Sequence, residues 1–168
     1  MSVEQVGKCA VLLESLLTDA AAFSNPQDLL AFRKDLVFAH GTGANQADKR
    51  WSSFGRSLAS TASENLDLAG SLLDYRGNAI TFARIKGIAV FNNGPNTIRL
   101  GGAASNQFIN WVANSSDIVN IATGGLFLLL APDATAYAVT AGTGDQLRVL
   151  NGGTGTVTYD IALLGASA

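Results

Sequence analysis

The sequence predicts a mainly β protein: an antiparallel β-sandwich, jelly-roll-like, with an N-terminal arm that includes a helix or a further strand pair. Three observations lead there. Beyond Trp51 the apolar residues fall into short runs, several with a two-residue period. Turn signals rich in Gly, Asn and Pro separate these runs at intervals of roughly eight to twelve residues, the spacing of sandwiches and barrels. No helical pattern of about ten residues lies between them, as βαβ units would require.

The chain changes character near His40. All but one of the 18 glycines follow it, and leucine is frequent before it. This divides the chain into an arm, residues 1–39, and a β-domain, residues 40–168. Within the arm, Val3, Val6, Ala10, Leu13 and Leu17 recur at helical spacing, and Glu4 and Lys8 are set for an i,i+4 pair. This reads as an amphipathic helix over residues 3–23, with a strand pair as the open alternative. Asn25-Pro26-Gln27-Asp28 resembles a helix start. Yet Leu30, Phe32, Leu36 and Phe38 stand two or four residues apart, which favours a strand there.

Arg50 and Trp51 begin the next expected strand. Leu66 and Leu68 alternate with Asp67 and Ala69, and Asp74–Asn78 reads as a hairpin turn into the run 79–91. In that run Ile80 and Phe82 share a face, Ile85 falls on the other, and Ile88 and Val90 return. A phase slip at Arg84–Gly87 therefore predicts a β-bulge or bend. Asn92-Asn93-Gly94-Pro95 turns the chain into Thr97–Leu100. Further strands are expected at 107–112, 117–121, 126–130, 136–140, 146–150 and 156–164. The last alternates most clearly, with Val157, Tyr159, Ile161 and Leu163 on one face.

Composition limits the function. A chain of 168 residues can bury about 70% of the surface exposed when unfolded. Hydrophobic residues make up 48% and charged ones 14%, against a usual charged share of about 25%. Ser, Thr, Asn, Gly and Ala must then cover much of the surface, which suits a subunit packed against neighbours. The net charge of −2, with both signs interspersed, argues against nucleic acid or an anionic membrane as partner. A single cysteine, Cys9, excludes an internal disulfide and any CxxC site. The longest apolar run, Leu126–Ala131, is strand-sized, and the acids Glu4 and Glu14 do not suit a signal peptide, so synthesis in a reducing cytoplasm is expected.

His40-Gly41-Thr42-Gly43-Ala44-Asn45-Gln46-Ala47-Asp48-Lys49-Arg50-Trp51 superficially resembles a nucleotide loop. A phosphate loop needs Gly-Lys-Ser/Thr after four intervening residues, and a dinucleotide fingerprint needs a third glycine where Gln46 stands. Gly-Thr-Gly also recurs at 142–144 and 153–155, which makes it turn chemistry. The expected role is a bend, or hinge, between arm and β-domain.

Lys49, Arg50 and Arg56 beside Trp51 and Phe54 imitate a nucleic-acid contact, but no second basic cluster supports it. His40 is the sole histidine, no Gly-x-Ser-x-Gly elbow exists, and Cys9 lies outside any activating loop. Asp67 with Asp74, or Asp133 with Asp145, are the carboxylate pairs to test for glycosidase-like work. No catalytic residue, metal ligand or cofactor-binding residue is assigned. Phe108, Trp111, Phe127 and Tyr137 read as core aromatics, with an exposed Trp111 or Trp51 as the alternative sugar-binding face. The interaction candidates are Arg50, Trp51, Arg56 and Trp111.

From Gly41 onward the chain resembles a group of small structural proteins encoded by tailed bacteriophages, often near the capsid genes. The resemblance rests on Gly41–Asp48, on Glu64–Gly70, on Gly101–Asn106, and on Gly124-Gly125 followed by Leu128–Pro132. It continues through Ala138–Asp145 and closes at Thr158–Ile161, keeping the order of segments; residues 1–40 match only loosely. It implies a virion protein of the capsid decoration or cement type, a homotrimer on the capsid surface that clamps adjacent major capsid subunits. A tail or baseplate component, and a receptor- or carbohydrate-binding module, are the alternatives. No enzyme activity, nucleic-acid partner or membrane partner is implied.

Overall fold

A computed structural model describes residues 4–18 and 27–168. The strands are, in chain order, β1 (Gly7–Thr18), β2 (Gln27–Phe38), β3 (Lys49–Leu58), β4 (Ser63–Asp67), β5 (Ala69–Leu73), β6 (Ala79–Thr81) and β7 (Arg84–Asn92). There follow β8 (Ile98–Gly101), β9 (Ile118–Ile121), β10 (Leu126–Leu130), β11 (Tyr137–Ala138), β12 (Gln146–Asn151) and β13 (Val157–Ala166). The protein is mainly β, every strand pairing is antiparallel, and there is no helix among the described residues. No helix there is long and apolar enough to cross a membrane.

The expected N-terminal helix is overturned over residues 7–18, which form β1; residues 3 and 19–23 of that span lie outside the described residues. Asn25 and Pro26 of the expected helix start also lie outside them, while Gln27 and Asp28 open β2, as the strand spacing suggested. β1 pairs with β2 without a register break from Gly7↔Phe38 to Thr18↔Gln27. The apolar residues that recur at helical spacing overlap a second set, Cys9, Val11, Leu13 and Leu17, that shares one side of a strand. The cross-strand pairing with β2 selects the second pattern.

Two larger sheets make the body. One has the order β10-β7-β13-β3, with β11 also on β7; the other has the order β4-β12-β8-β9. β5 and β6 form a separate two-stranded ribbon around the Asp74–Asn78 turn. Buried side chains of both larger sheets join one core, including Ile88, Val90, Tyr159, Ile161 and Leu163 from the first and Leu66, Leu100, Leu147 and Val149 from the second. β13 supplies its alternate residues Val157, Tyr159, Ile161 and Leu163 to this core, as its period-two pattern predicts.

Two buried asparagines fasten strand ends. Asn92 Nδ2 donates to the carbonyls of Asn96, Ile121 and Ala122, and its Oδ1 accepts from Gly94 N–H. Asn151 serves the end of β12 similarly, donating to Leu58, Ala59 and Gly155 and accepting from Gly153. An amide side chain can offer both donors and acceptors, so one residue satisfies several turn groups that would otherwise be buried unpaired.

The phase slip at Arg84–Gly87 is a β-bulge. Leu164 pairs with Gly87 and Gly165 with Ile85, leaving Lys86 as the extra residue of β7. The strand expected at 107–112 is absent: Gln107 makes one isolated bridge, and Val112 N–H turns back to Ile109. Phe108 and Trp111 reach the core from a compact turn, not from a pleated strand, and Ile109 is exposed. The run at 136–140 is a strand only at Tyr137–Ala138.

Candidate interaction surface

The glycine loop after the arm is a braced bend. Gly41 has φ 138°, and a Cβ there would meet Gln46 Oε1 at 2.5 Å, so the position demands glycine. Gly43 N–H donates to Gln46 Oε1 at 2.8 Å, Asn45 N–H to the Pro132 carbonyl at 2.6 Å, and Ala39 N–H to Asn45. These amides are already committed inside the protein, so they do not form a phosphate cradle. The bulge places Lys86 beneath the loop: its ammonium donates to the Gly43 carbonyl at 2.5 Å and the Asp133 carbonyl at 2.9 Å. Burial, then the neighbouring Arg84, lowers its pKa from the ordinary value, against opposing pulls from Asp133 and Asp48.

The β1–β2 ribbon leaves this braced root with most of its surface uncovered. Alternation puts Cys9, Val11, Leu13 and Leu17 on one face with Leu30, Phe32, Leu36 and Phe38, interrupted by Ser15, Asp28 and Lys34. At the root this face lies on the body: Phe38 is fully buried, and the Cβ position of Gly7 is 3.5 Å from Leu164. Farther out, Leu13, Leu17, Leu30 and Phe32 are exposed. The opposite face mixes Leu12, Leu16, Leu29 and Val37 with Lys8, Glu14, Arg33 and Asp35. Arg33 and Asp35 pair at 3.1 Å on this ribbon.

A second apolar surface lies on the side of the β10-β7-β13-β3 sheet away from the core. Leu126, Leu128 and Leu130 of β10 stand beside Phe91, Ala89 and Gly87 of β7, followed by Asp160, Ala162 and Leu164 of β13, with Asp160 accepting from Gly55 N–H. Leu126 is 63% and Phe91 39% exposed. Half-buried Leu128, Leu130, Ala162 and Leu164 of this face floor a groove between the arm root and the Tyr75–Arg76 turn, with Lys49 and Arg50 on its rim; Leu126 and Phe91 lie beyond it. The signal was the unbroken apolar run Leu126–Leu130, a pattern typical of strands covered on both faces.

The four interaction candidates divide. Arg50 pairs with Leu164 on the outer side of the sheet and is exposed. Trp51 and Arg56 face the other way: Trp51 packs against the core, with the Arg56 guanidinium 5.7 Å from its ring centre. Arg56 binds Glu64 with both Nε and Nη2, and Glu64 accepts from the Tyr159 hydroxyl at 2.6 Å. This ties β3, an edge of one sheet, to β4, an edge of the other. The Glu64 bond raises the Arg56 pKa. Burial, then Glu64, raises that of Tyr159. For Glu64, burial pulls upward but the bonds from Arg56 and Tyr159 prevail, so its pKa is lowered. Trp111 also belongs to the interior: Nε1–H donates to the Phe108 carbonyl, and the ring meets Phe127 edge-on at 5.7 Å.

The four aspartates paired in sequence serve local turns. Asp67 accepts from Ala69 N–H, Asp74 from Arg76 and Asn78, Asp133 from Thr135 and Ala136, and Asp145 from Gly142. The Asn78 backbone bond leads the lowering of the Asp74 pKa, and the Thr135 side-chain bond leads that of Asp133. His40 Nδ1 accepts from Gln5 N–H at 3.1 Å, which attaches the arm root to the loop. Among the described residues, no group of three or more His, Cys, Asp or Glu is arranged to hold a metal ion. Lys86 and Glu64 escaped the sequence reading, because a charged residue in a strand gives no local sign that its partners lie on other elements.

No protein-family model, curated protein or solved structure matches the chain.

Proposed function

We propose that the chain is a structural subunit of a tailed-bacteriophage virion: a capsid decoration, or cement, protein that binds the capsid surface and stabilises contacts between major capsid subunits. In this proposal residues 40–168 are a β-sandwich of jelly-roll type, residues 1–39 are its arm, and the assembled form is a homotrimer. It binds by shape and burial and carries out no reaction.

The observation behind it is the uncovered apolar ribbon. A two-stranded hairpin alone is marginal in water, and an exposed apolar face of this extent suits a contact surface. The low charge of the chain agrees with wide, hydrogen-bonded subunit contacts. Arg50 is the sequence candidate placed to join such a contact, whereas Trp51, Arg56 and Trp111 support the body beneath it.

Purified expanded capsids lacking decoration provide the test. The chain should co-sediment with them and raise the temperature at which the shell opens. A chain that leaves heads unbound and unchanged would reject the cement assignment.

A further inference from the structure

We propose that the distal arm of one copy docks on the outer face of the β10-β7-β13-β3 sheet of a second copy, so that subunits exchange arms. This deepens the structural-subunit proposal by naming what covers both apolar surfaces.

Both surfaces carry exposed apolar side chains among the described residues, and they match in character. The distal ribbon presents exposed Leu13, Leu17, Leu30 and Phe32, while the receiving face presents exposed Leu126 and Phe91 beside half-buried Leu128 and Ala162. The arm root already shows the mode of packing, because its same face rests on Leu164 of its own sheet. Beyond that root the ribbon leaves the body, and the sheet face beside Leu164 remains open.

Charge adds direction. Residues 12–33 contain the acids Glu14, Asp19 and Asp28 and one cation, Arg33, which is held by Asp35. The rim of the receiving groove carries Lys49, Arg50 and Arg76. Among the described residues the ion pairs are Arg33–Asp35 and Arg56–Glu64, so these three cations have no carboxylate partner there. Three acids line the same groove: Asp48 and Asp74 are occupied by Ser167 and by the Asp74–Asn78 turn, and Glu4 lies just before β1. An acidic arm thus meets a cationic rim around an apolar floor.

The area is sufficient only when every copy both gives and receives an arm. The seven pairs from Leu12↔Arg33 to Thr18↔Gln27 span about 23 Å at ~3.3 Å per residue. A ribbon about 11 Å wide then hides roughly 250 Å² on each partner, and the three arms of a homotrimer hide roughly 1,500 Å² in total, within the range of a specific interface. A single docked arm falls well short of it, so arms must be traded within a closed assembly.

The full-length chain is tested without capsids. Two Cys9→Ser versions, one isotope-labelled and carrying Phe32→Cys, the other unlabelled and carrying Ala162→Cys, are mixed and treated with a short bismaleimide. The expected result is a labelled–unlabelled crosslinked pair joining Cys at position 32 to Cys at position 162. In parallel, sedimentation of the Leu126→Glu and Phe32→Glu chains should show self-association weakened at least tenfold with the far-UV spectrum unchanged. A monomer at every concentration overturns the inference, as does an oligomer that gives no such crosslink and is indifferent to both charges. Capsid binding is measured separately: a monomer that still binds heads removes arm exchange and leaves the cement proposal intact.

Discussion

The Lys86 ammonium stands 2.5 Å from the Gly43 carbonyl oxygen, so a bulge in the middle of the chain fixes the loop at the root of the arm. The lysine side chain is fully buried, and its charge is met by backbone carbonyls of two separate loops. Lys86→Met should fill much of the same space but leave the Gly43 and Asp133 carbonyls without that donor. The expected cost is about 1–3 kcal/mol in urea unfolding. Amide exchange should quicken first at Asn45 and Gln46. Unchanged stability and exchange would deny the lysine this bracing role.

Gly41→Ala should also destabilise the loop, for a different reason. It forces a side chain into a left-handed backbone conformation and against Gln46 Oε1. Conformational strain of this kind costs on the order of 1–3 kcal/mol. Adding Gln46→Ala should recover only the steric part, so the double variant stays less stable than Gln46→Ala alone. Thermal unfolding of the three variants separates the two contributions.

The Arg56–Glu64–Tyr159 cluster predicts an acid-sensitive body. The folded pKa of Glu64 lies below its ordinary 4.5, so folding favours the ionised carboxylate. Its stabilisation is complete above that ordinary value and is lost as pH falls through the lower folded value. Glu64→Gln should therefore flatten the decline of stability below about pH 4.5. Urea unfolding across that acid range checks this. An unaltered slope in the variant would assign the acid sensitivity to other carboxylates.

Trp111→Ala should act on stability, not on recognition. Loss of its contact with Phe127 and its bond to Phe108 should cost about 3 kcal/mol. Glycan binding lost at a temperature where the variant remains folded would instead make the ring a ligand contact.

The sequence is most readable where one strand faces core and solvent on alternate residues. Val157, Tyr159, Ile161 and Leu163 locate β13 because each inward residue is apolar and each outward neighbour differs from it. The slip at Arg84–Gly87 locates the bulge by the same logic, since an extra residue reverses the phase. Residues 7–18 misled because their leucines satisfy both periods, and the deciding partner, β2, begins beyond Asn25 in the chain. Residues 107–112 misled because burial of Phe108 comes from a turn; Asp117 holds the following loop by accepting from Ala113 and Asn114 N–H. Of the interaction candidates, Arg50 could be placed on an outer face only once its cross-strand partner Leu164 was known.

The uninterrupted pairing of β1 with β2 turns the side of the arm on which its leucines lie into a matter of parity. An even number of residues added to β1 before Cys9 would lengthen the arm and keep Leu13 and Leu17 on the same side as Phe38. An odd number would turn those leucines over and bring Glu14 and Leu16 round in their place. Arms of different reach can therefore arise by insertion two residues at a time, while a single inserted residue reverses what the arm offers to a neighbour.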